Sequence, residues 1–339
     1  MPKRLRYLPL LALIVATSCG PPTSLDTTLT VALPPGRIDD FNRVIAPGFK
    51  ALSDVSITVI GMRSADQVAR VRIEQDRPTL DLLWIDFAEA QLLAREGLLA
   101  KVSETELPNL RDIREEAKST LGVAPITFAS ALGFLYNSTR ITHPPVSWAD
   151  LWHSRFAGEL ALFDFGSSLG PVTLVMAARL NGGNETNIDP GFEKLFQLKS
   201  NAFGFRTSGP ENNKFVAQGE AGVTLALASQ TRELKAAGAT VEWIVPAEGA
   251  VALPQGFQIV AGSPQRALAQ TFVNYVLSLE VQQRLANDLL MVVPNRKVVL
   301  DPVIAPFVPL DNILYLDIET IGMRRGEWTN RFNREILGG

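Results

Sequence analysis

The sequence predicts an α/β protein in which mostly parallel strands are covered by helices. Three observations carry this. Strand-like and helix-like segments alternate along most of the chain, the order expected of a parallel sheet with covering helices. Asp81–Ile85 is a near-continuous apolar run, as required of a strand buried on both faces. At 339 residues the chain suits two domains, or one large one, with ample material for cores.

Leu29–Leu33 reads as the first strand and runs into a Pro34-Pro35-Gly36-Arg37 turn. From Ile38 to Leu52 the apolar spacing through Phe41, Val44, Ile45, Phe49 and Leu52 is helical, and Pro47-Gly48 must kink or shorten it. Val55–Ile60 is a strand, Ala65–Gln75 a helix and Asp81–Ile85 a strand. Ala88–Glu96 is a helix with Gly97 as its stop. The order resumes with strand Glu159–Phe165, helices Val172–Leu180 and Gly191–Lys199, and strand Ala202–Phe205. Helix Asn212–Gln218, strand Gly222–Ala226, helix Ser229–Ala237 and strand Val241–Val245 follow. Pro264–Leu285 carries one long apolar stripe and is expected to be a single helix. The acidic cluster Glu104–Glu116 reads as a solvated helix face. The Pro/Trp-rich stretch from Tyr136 to Trp152 is the best domain junction.

The N-terminus has the parts of an export signal. Met1–Arg6 is basic, Tyr7–Val15 is apolar and Ala16-Thr17-Ser18 supplies small residues. The apolar stretch is about half the ~20 residues a membrane-spanning helix needs, so residues 1–18 are expected to be a signal peptide. Its removal takes three positive charges with it and turns the net charge of −3 into −6. A mildly acidic chain without a basic block is a poor nucleic-acid binder. Cys19 is the sole cysteine, so no internal disulfide and no cysteine metal cluster can form. A lone cysteine after such a signal, followed by a tether over 19–28, resembles a bacterial lipoprotein start. Ala16 replaces the usual leucine three residues before the cysteine, which also fits ordinary cleavage and secretion.

Gly166-Ser167-Ser168-Leu169-Gly170 spells the G-x-S-x-G pattern of a hydrolase nucleophile elbow, in the expected strand–turn–helix setting. The required order is serine, acid, histidine, yet His143 and His153 both precede Ser168. A serine without a base is a weak nucleophile, so a secreted serine hydrolase using Ser168 is the rival and not the main reading. A ligand-independent scaffold is a third. The chain has no phosphate loop, zincin motif or dinucleotide fingerprint, and neither cofactor nor metal is expected. The tryptophans read as core, except that Trp84, beside Asp86, lies at a strand end within reach of a ligand.

One resemblance is specific. Tyr136-Asn137-Ser138 precedes Pro144-Pro145-Val146-Ser147-Trp148-Ala149-Asp150-Leu151-Trp152, and Phe156-Ala157-Gly158-Glu159 follows. Ala177-Ala178-Arg179-Leu180-Asn181-Gly182-Gly183, Asn187-Ile188-Asp189-Pro190-Gly191-Phe192 and Gln218-Gly219-Glu220-Ala221-Gly222-Val223 continue the pattern. Val245-Pro246-Ala247-Glu248-Gly249-Ala250, Pro294-Asn295-Arg296 and Trp328-Thr329-Asn330-Arg331-Phe332-Asn333 complete it. In this order the motifs resemble type II substrate-binding proteins of ABC transporters, most closely the spermidine/putrescine branch, over nearly the whole mature chain.

The resemblance implies two α/β lobes joined by two crossing strands, near Ala129–Leu132 and Leu253–Phe257. Lobe one would comprise 27–131 plus 257–300, and lobe two 132–256 plus 301–339. It implies a periplasmic, lipid-anchored monomer that hands a small solute to an ABC permease and its ATPase subunits. Ligand contacts would come from Arg37 and Asp39 with Pro35 and Gly36, from Asp86 and Phe87, and from Phe128 and Ser130 with Thr127. Asp164, Ser167 and Ser168 with Gly166, Thr207 with Arg206, and Gln255 would complete the set. The polyamine branch usually has an aromatic and an acid at the second crossing; here the segment is Ala252-Leu253-Pro254-Gln255-Gly256. A polyamine-like cation is favoured, held by Asp39, Asp86 and Asp164. Arg37 and Arg206 could instead receive an organophosphonate or another small anion. Ferric iron is disfavoured because Tyr136, Tyr275 and Tyr315 form no adjacent pair.

Overall fold

The computed structural model describes residues 28–53 and 55–338. The expected signal peptide and Cys19 lie outside the described residues. β1 (Thr28–Leu33) leads through a turn to α1 (Ile38–Asp40), a π-helical segment Phe41–Ile45 and α2 (Ala46–Leu52). The expected kink at Pro47 takes the form of that π segment. The Ala46 N–H bonds back five residues to Phe41, just before a residue that has no N–H to give. Then come β2 (Ser56–Gly61), α3 (Ser64–Ile73), β3 (Leu82–Asp86) and α4 (Phe87–Arg95), which ends at Gly97 with φ +75°.

β4 (Phe128–Asn137) is the first crossing strand. β5 (Leu160–Phe163), α5 (Gly170–Leu180), α6 (Asp189–Leu198), β6 (Ala202–Arg206), α7 (Gly209–Ala217) and β7 (Val223–Leu227) follow. α8 (Ala228–Ala236), β8 (Val241–Ile244) and the second crossing strand β9 (Ala250–Ile259) come next. The last part comprises α9 (Arg266–Val276), α10 (Leu279–Leu289), β10 (Met291–Val292), β11 (Ile313–Leu314) and α11 (Ile318–Arg331).

The strands run in the order β2-β1-β3-β9-β4-β7-β5-β6. Pairs among β1, β2 and β3 are parallel, as are those of β5 with β6 and β7. β4 and β9 lie antiparallel between these two parallel sets, in register from Phe128↔Gln255 to Leu132↔Val251. This is the two-lobed architecture, with both expected crossings in place. Pairing of β3 with β9 ends at Asp86↔Gln255. Pro254 thus sits where β9 has lost its neighbour on that side, a position where a missing N–H breaks no ladder bond.

Two large cores flank the crossing. The first includes Phe41, Phe49, Trp84, Phe128, Phe257 and Phe272; the second includes Phe134, Trp148, Phe163, Phe192, Trp328 and Phe332. Hydrophobic packing divides the tail after residue 300 between them, with Val308 in the first core and Leu316 in the second.

Two expected elements differ. The stripe over Pro264–Leu285 is two helices, because the Ser278 hydroxyl accepts from the Val281 N–H and starts a new one. The acidic stretch Glu104–Glu116 forms short 3-10 turns at Pro108–Asp112 and Glu115–Ala117 instead of a helix. Three local hydrogen bonds tie its start, with Glu106 Oε2 accepting from the Ser103 N–H and hydroxyl and the Ser103 hydroxyl accepting from the Glu106 N–H, and Pro108 opens the first turn.

Candidate functional site

Burial along the crossing strands locates the floor of the interlobe cleft. β4 is buried throughout Phe128–Leu135, whereas β9 is half-exposed only at Leu253, Pro254 and Gln255. The parallel strands of each lobe end beside this floor, and ligands of open α/β sheets bind outside the carboxyl ends of strands.

On the lobe-one wall, Asp86 ends β3 and its backbone caps α4, yet its carboxylate makes no capping bond. Instead Oδ1 accepts from Gln255 Nε2 at 2.7 Å and Oδ2 from the Ser64 hydroxyl at 3.0 Å. The Gln255 carbonyl in turn accepts from the Trp84 indole N–H at 3.0 Å, which fixes the amide's orientation. Two of the carboxylate's roughly four acceptor positions are thereby used, leaving capacity for a ligand donor. One turn along α4 stands Glu89, half-buried. Burial, then the neighbouring Asp86 charge, pushes the Glu89 carboxyl up, and Arg325 of α11 pulls the other way.

The lobe-two wall is the turn from Asp164 to Gly170. Asp164 Oδ1 accepts from the Gly166 N–H at 2.8 Å, and the Thr207 hydroxyl reaches both carboxylate oxygens at 3.0 and 2.9 Å. The Ser167 hydroxyl accepts from the Leu169 N–H at 3.2 Å, while Ser168 is exposed. Arg325 donates through Nη2 to the Phe165 carbonyl at 3.3 Å, which places the α11 guanidinium against this turn. Lobe-to-lobe contacts flank the cleft: Arg95 of α4 pairs with Glu319 of α11, and Arg232 Nη2 of α8 donates to the Asp288 carbonyl of α10 at 2.7 Å.

The structure brings together Asp86 with Gln255, and Asp164 with Thr207. It withdraws others. Phe128 has no exposed surface; its ring lies 4.9 Å from Trp84 and 6.2 Å from Phe257, so it is core and cannot meet a solute here. Trp84 is fully buried too, and acts on the site only through Gln255. Thr127 is spent on the Phe257 N–H, and Phe87 and Ser130 are each only 8% exposed. Arg37 is paired with Asp40 at 3.1 Å, while Asp39 is exposed beside the Pro35-Gly36 turn. Arg206 turns to Glu211 at 3.5 Å and lies over the Phe215 ring at 5.3 Å. The sequence reading missed Ser64, Glu89 and Arg325. Only Glu89 carried a signal, as an acid three residues after Asp86 at the start of a helix.

The elbow-like turn contains no base. His143 and His153 are exposed and bond locally, to the Thr142 hydroxyl and the Arg155 N–H. Among the described residues, no group of three or more His, Cys, Asp or Glu could hold a metal ion. Nor is any described helix long and apolar enough to cross a membrane.

Residues 85–309, from the end of β3 through both crossings, match the family described as bacterial extracellular solute-binding proteins. The chain belongs to that family. The solute-binding protein is 27% identical over 251 residues to the spermidine/putrescine-binding periplasmic protein of Salmonella typhimurium, covering 70% of this chain and 69% of the relative. A Salmonella typhimurium periplasmic protein named for 2-aminoethylphosphonate binding is 25% identical over 297 residues, covering 84% and 83%. The fold matches the crystal structure of an ABC transporter protein from Clostridium perfringens with a TM-score of 0.77 at 22% identity, over 91% of this chain and 99% of that one. As a member of an extracellular solute-binding family the protein is a binding protein and not an enzyme, and the hydrolase reading of Ser168 is set aside.

Its electrostatics give a direct test. A carboxyl whose folded pKa is raised binds its proton more tightly when folded, so its contribution to stability is full below the unfolded value of about 4.3 and is lost as pH rises through the folded value. Glu89→Gln is expected to be more stable than the parent at neutral pH, with the gap closing in acid. Urea midpoints across pH measure this, and a gap that does not change with pH contradicts it.

Proposed function

We propose that the interlobe cleft holds a small polar solute bearing an ammonium group, a polyamine-like organic cation being the favoured class. The supporting observation is the paired carboxylates Asp86 and Glu89 on one wall, where a buried ammonium would find the partners it needs. Gln255, Ser167, Ser168, Thr207, Asp164, Asp39 and Arg37 would line the rest. Closure over the solute would present the closed form to the permease and its ATPase. The protein would act as a monomer, held at the membrane by lipid on Cys19, with the lobes divided at the two crossings. A second reading, an organophosphonate or other small anion, is favoured by Arg325 on the opposite wall.

A thermal-shift screen of the mature protein with putrescine, spermidine, 2-aminoethylphosphonate, phosphonoacetate and glucose tests this. An amine at 100 times its Kd should add about 2.7 kcal/mol, and Asp86→Asn should abolish the shift. Shifts from the amine-free compounds alone would overturn the amine reading.

A further inference from the structure

α11 carries three arginines. Arg324 pairs with Glu327 at 3.0 Å, and Arg331 with Asp189 at 2.7 Å and Glu335 at 3.2 Å. Arg325 differs: it is half-buried, its hydrogen bond goes to the Phe165 carbonyl, and it forms no ion pair among the described residues. Across the cleft Glu89 is likewise half-buried and without an ion pair among the described residues, although it lies within the field of Arg325. Two opposite charges thus stand on α4 and α11, helices joined by the Arg95–Glu319 pair, without forming an ion pair with each other.

A solute with ammonium groups at both ends needs a carboxylate at each, since an unpaired buried charge is costly. Lobe one supplies its pair at Asp86 and Glu89. On lobe two, Asp164 already accepts from Gly166 and Thr207, and the second crossing has Gln255 where an acid would be needed. What faces the far end is a guanidinium with unused donors, suited to a planar or tetrahedral oxyanion. The anion receptors expected from sequence, Arg37 and Arg206, are already paired with Asp40 and Glu211.

We propose that Arg325 is the specificity-determining residue of the cleft and that the solute is zwitterionic, its ammonium on Asp86 and Glu89 and its acid group on Arg325. This rests on the ammonium-bearing part of the reading above, replaces its polyamine-like favourite, and narrows it to amines whose other end is a carboxylate or phosphonate.

Calorimetric titration with a matched set of four-carbon compounds tests it: a diamine, a monoamine, an amino-carboxylate and an amino-phosphonate. One of the two amino acids should bind at least tenfold more tightly than the monoamine or the diamine. Arg325→Gln should bring it down to the monoamine's affinity measured in the same variant, while Arg325→Lys should keep part of the gain. Melting curves of both variants confirm folding, and the monoamine titration shows that the remaining site is intact. A diamine that binds as tightly as the amino acids, or an unchanged affinity in Arg325→Gln, overturns the proposal but leaves the amine reading standing. Failure of every amine in the set overturns both.

Discussion

Phe257→Ala is expected to cost about 3–5 kcal/mol of stability, the largest loss foreseen for a single truncation outside the site. Phe257 has no exposed surface and lies on the crossing strand β9. Its ring centroid is 5.2 Å from those of Trp84 and Phe272 and 6.2 Å from those of Phe41 and Phe128. Rings from β3, β4, α9 and the first π segment meet there, so no single neighbour can collapse into the gap. Urea denaturation of parent and variant measures the loss. A cost below about 1 kcal/mol would show that the cluster repacks freely.

Gly170→Ala should damage both stability and binding. A Cβ at Gly170 would lie 2.2 Å from the Asp164 carbonyl oxygen and 2.7 Å from its carbon, both backbone atoms of the turn. No side-chain rotation relieves that clash, so the turn must open or α5 must move, at a cost of about 1–3 kcal/mol or more. Opening the turn also displaces Asp164 and Ser167, and carries the Phe165 carbonyl away from Arg325. The expected result is a lowered melting temperature together with at least a tenfold loss of affinity for whichever solute the screen identifies. Parent-like affinity would show that the Asp164–Gly170 turn does not bear on the ligand. The second glycine of the elbow-like motif is therefore explained by close backbone packing, with no nucleophile involved.

Most strands and helices were legible because the apolar periods are clean. The run Leu82–Ile85 is buried throughout, and the crossing strands Phe128–Asn137 and Ala250–Ile259 contain the segments near Ala129–Leu132 and Leu253–Phe257 that the resemblance implies. The misread long helix over Pro264–Leu285 shows where period fails. An apolar stripe can continue across a break, and the break was set by one serine hydroxyl. The site was less legible. The positions of Asp86 and Gln255 are legible because they end or cross the sheet, whereas the burial of Phe128 is not, since strand position does not tell which face is core. Arg325 was invisible because its place depends on how the C-terminal helix packs across the cleft, a contact 160 residues removed in sequence from Phe165.

The division of the tail between the two cores bears on the order in which the molecule can assemble. The first core needs strand β9 and helices α9 and α10, and the second needs Trp328, Phe332 and Ile336 from the last helical turns. Neither hydrophobic interior is complete until nearly the whole chain has been synthesised, and the contacts that finish each are distant in sequence. Such topologies fold slowly. In this member of an extracellular family, an interior that cannot close early keeps the chain open until α11 and the turns after it have been made.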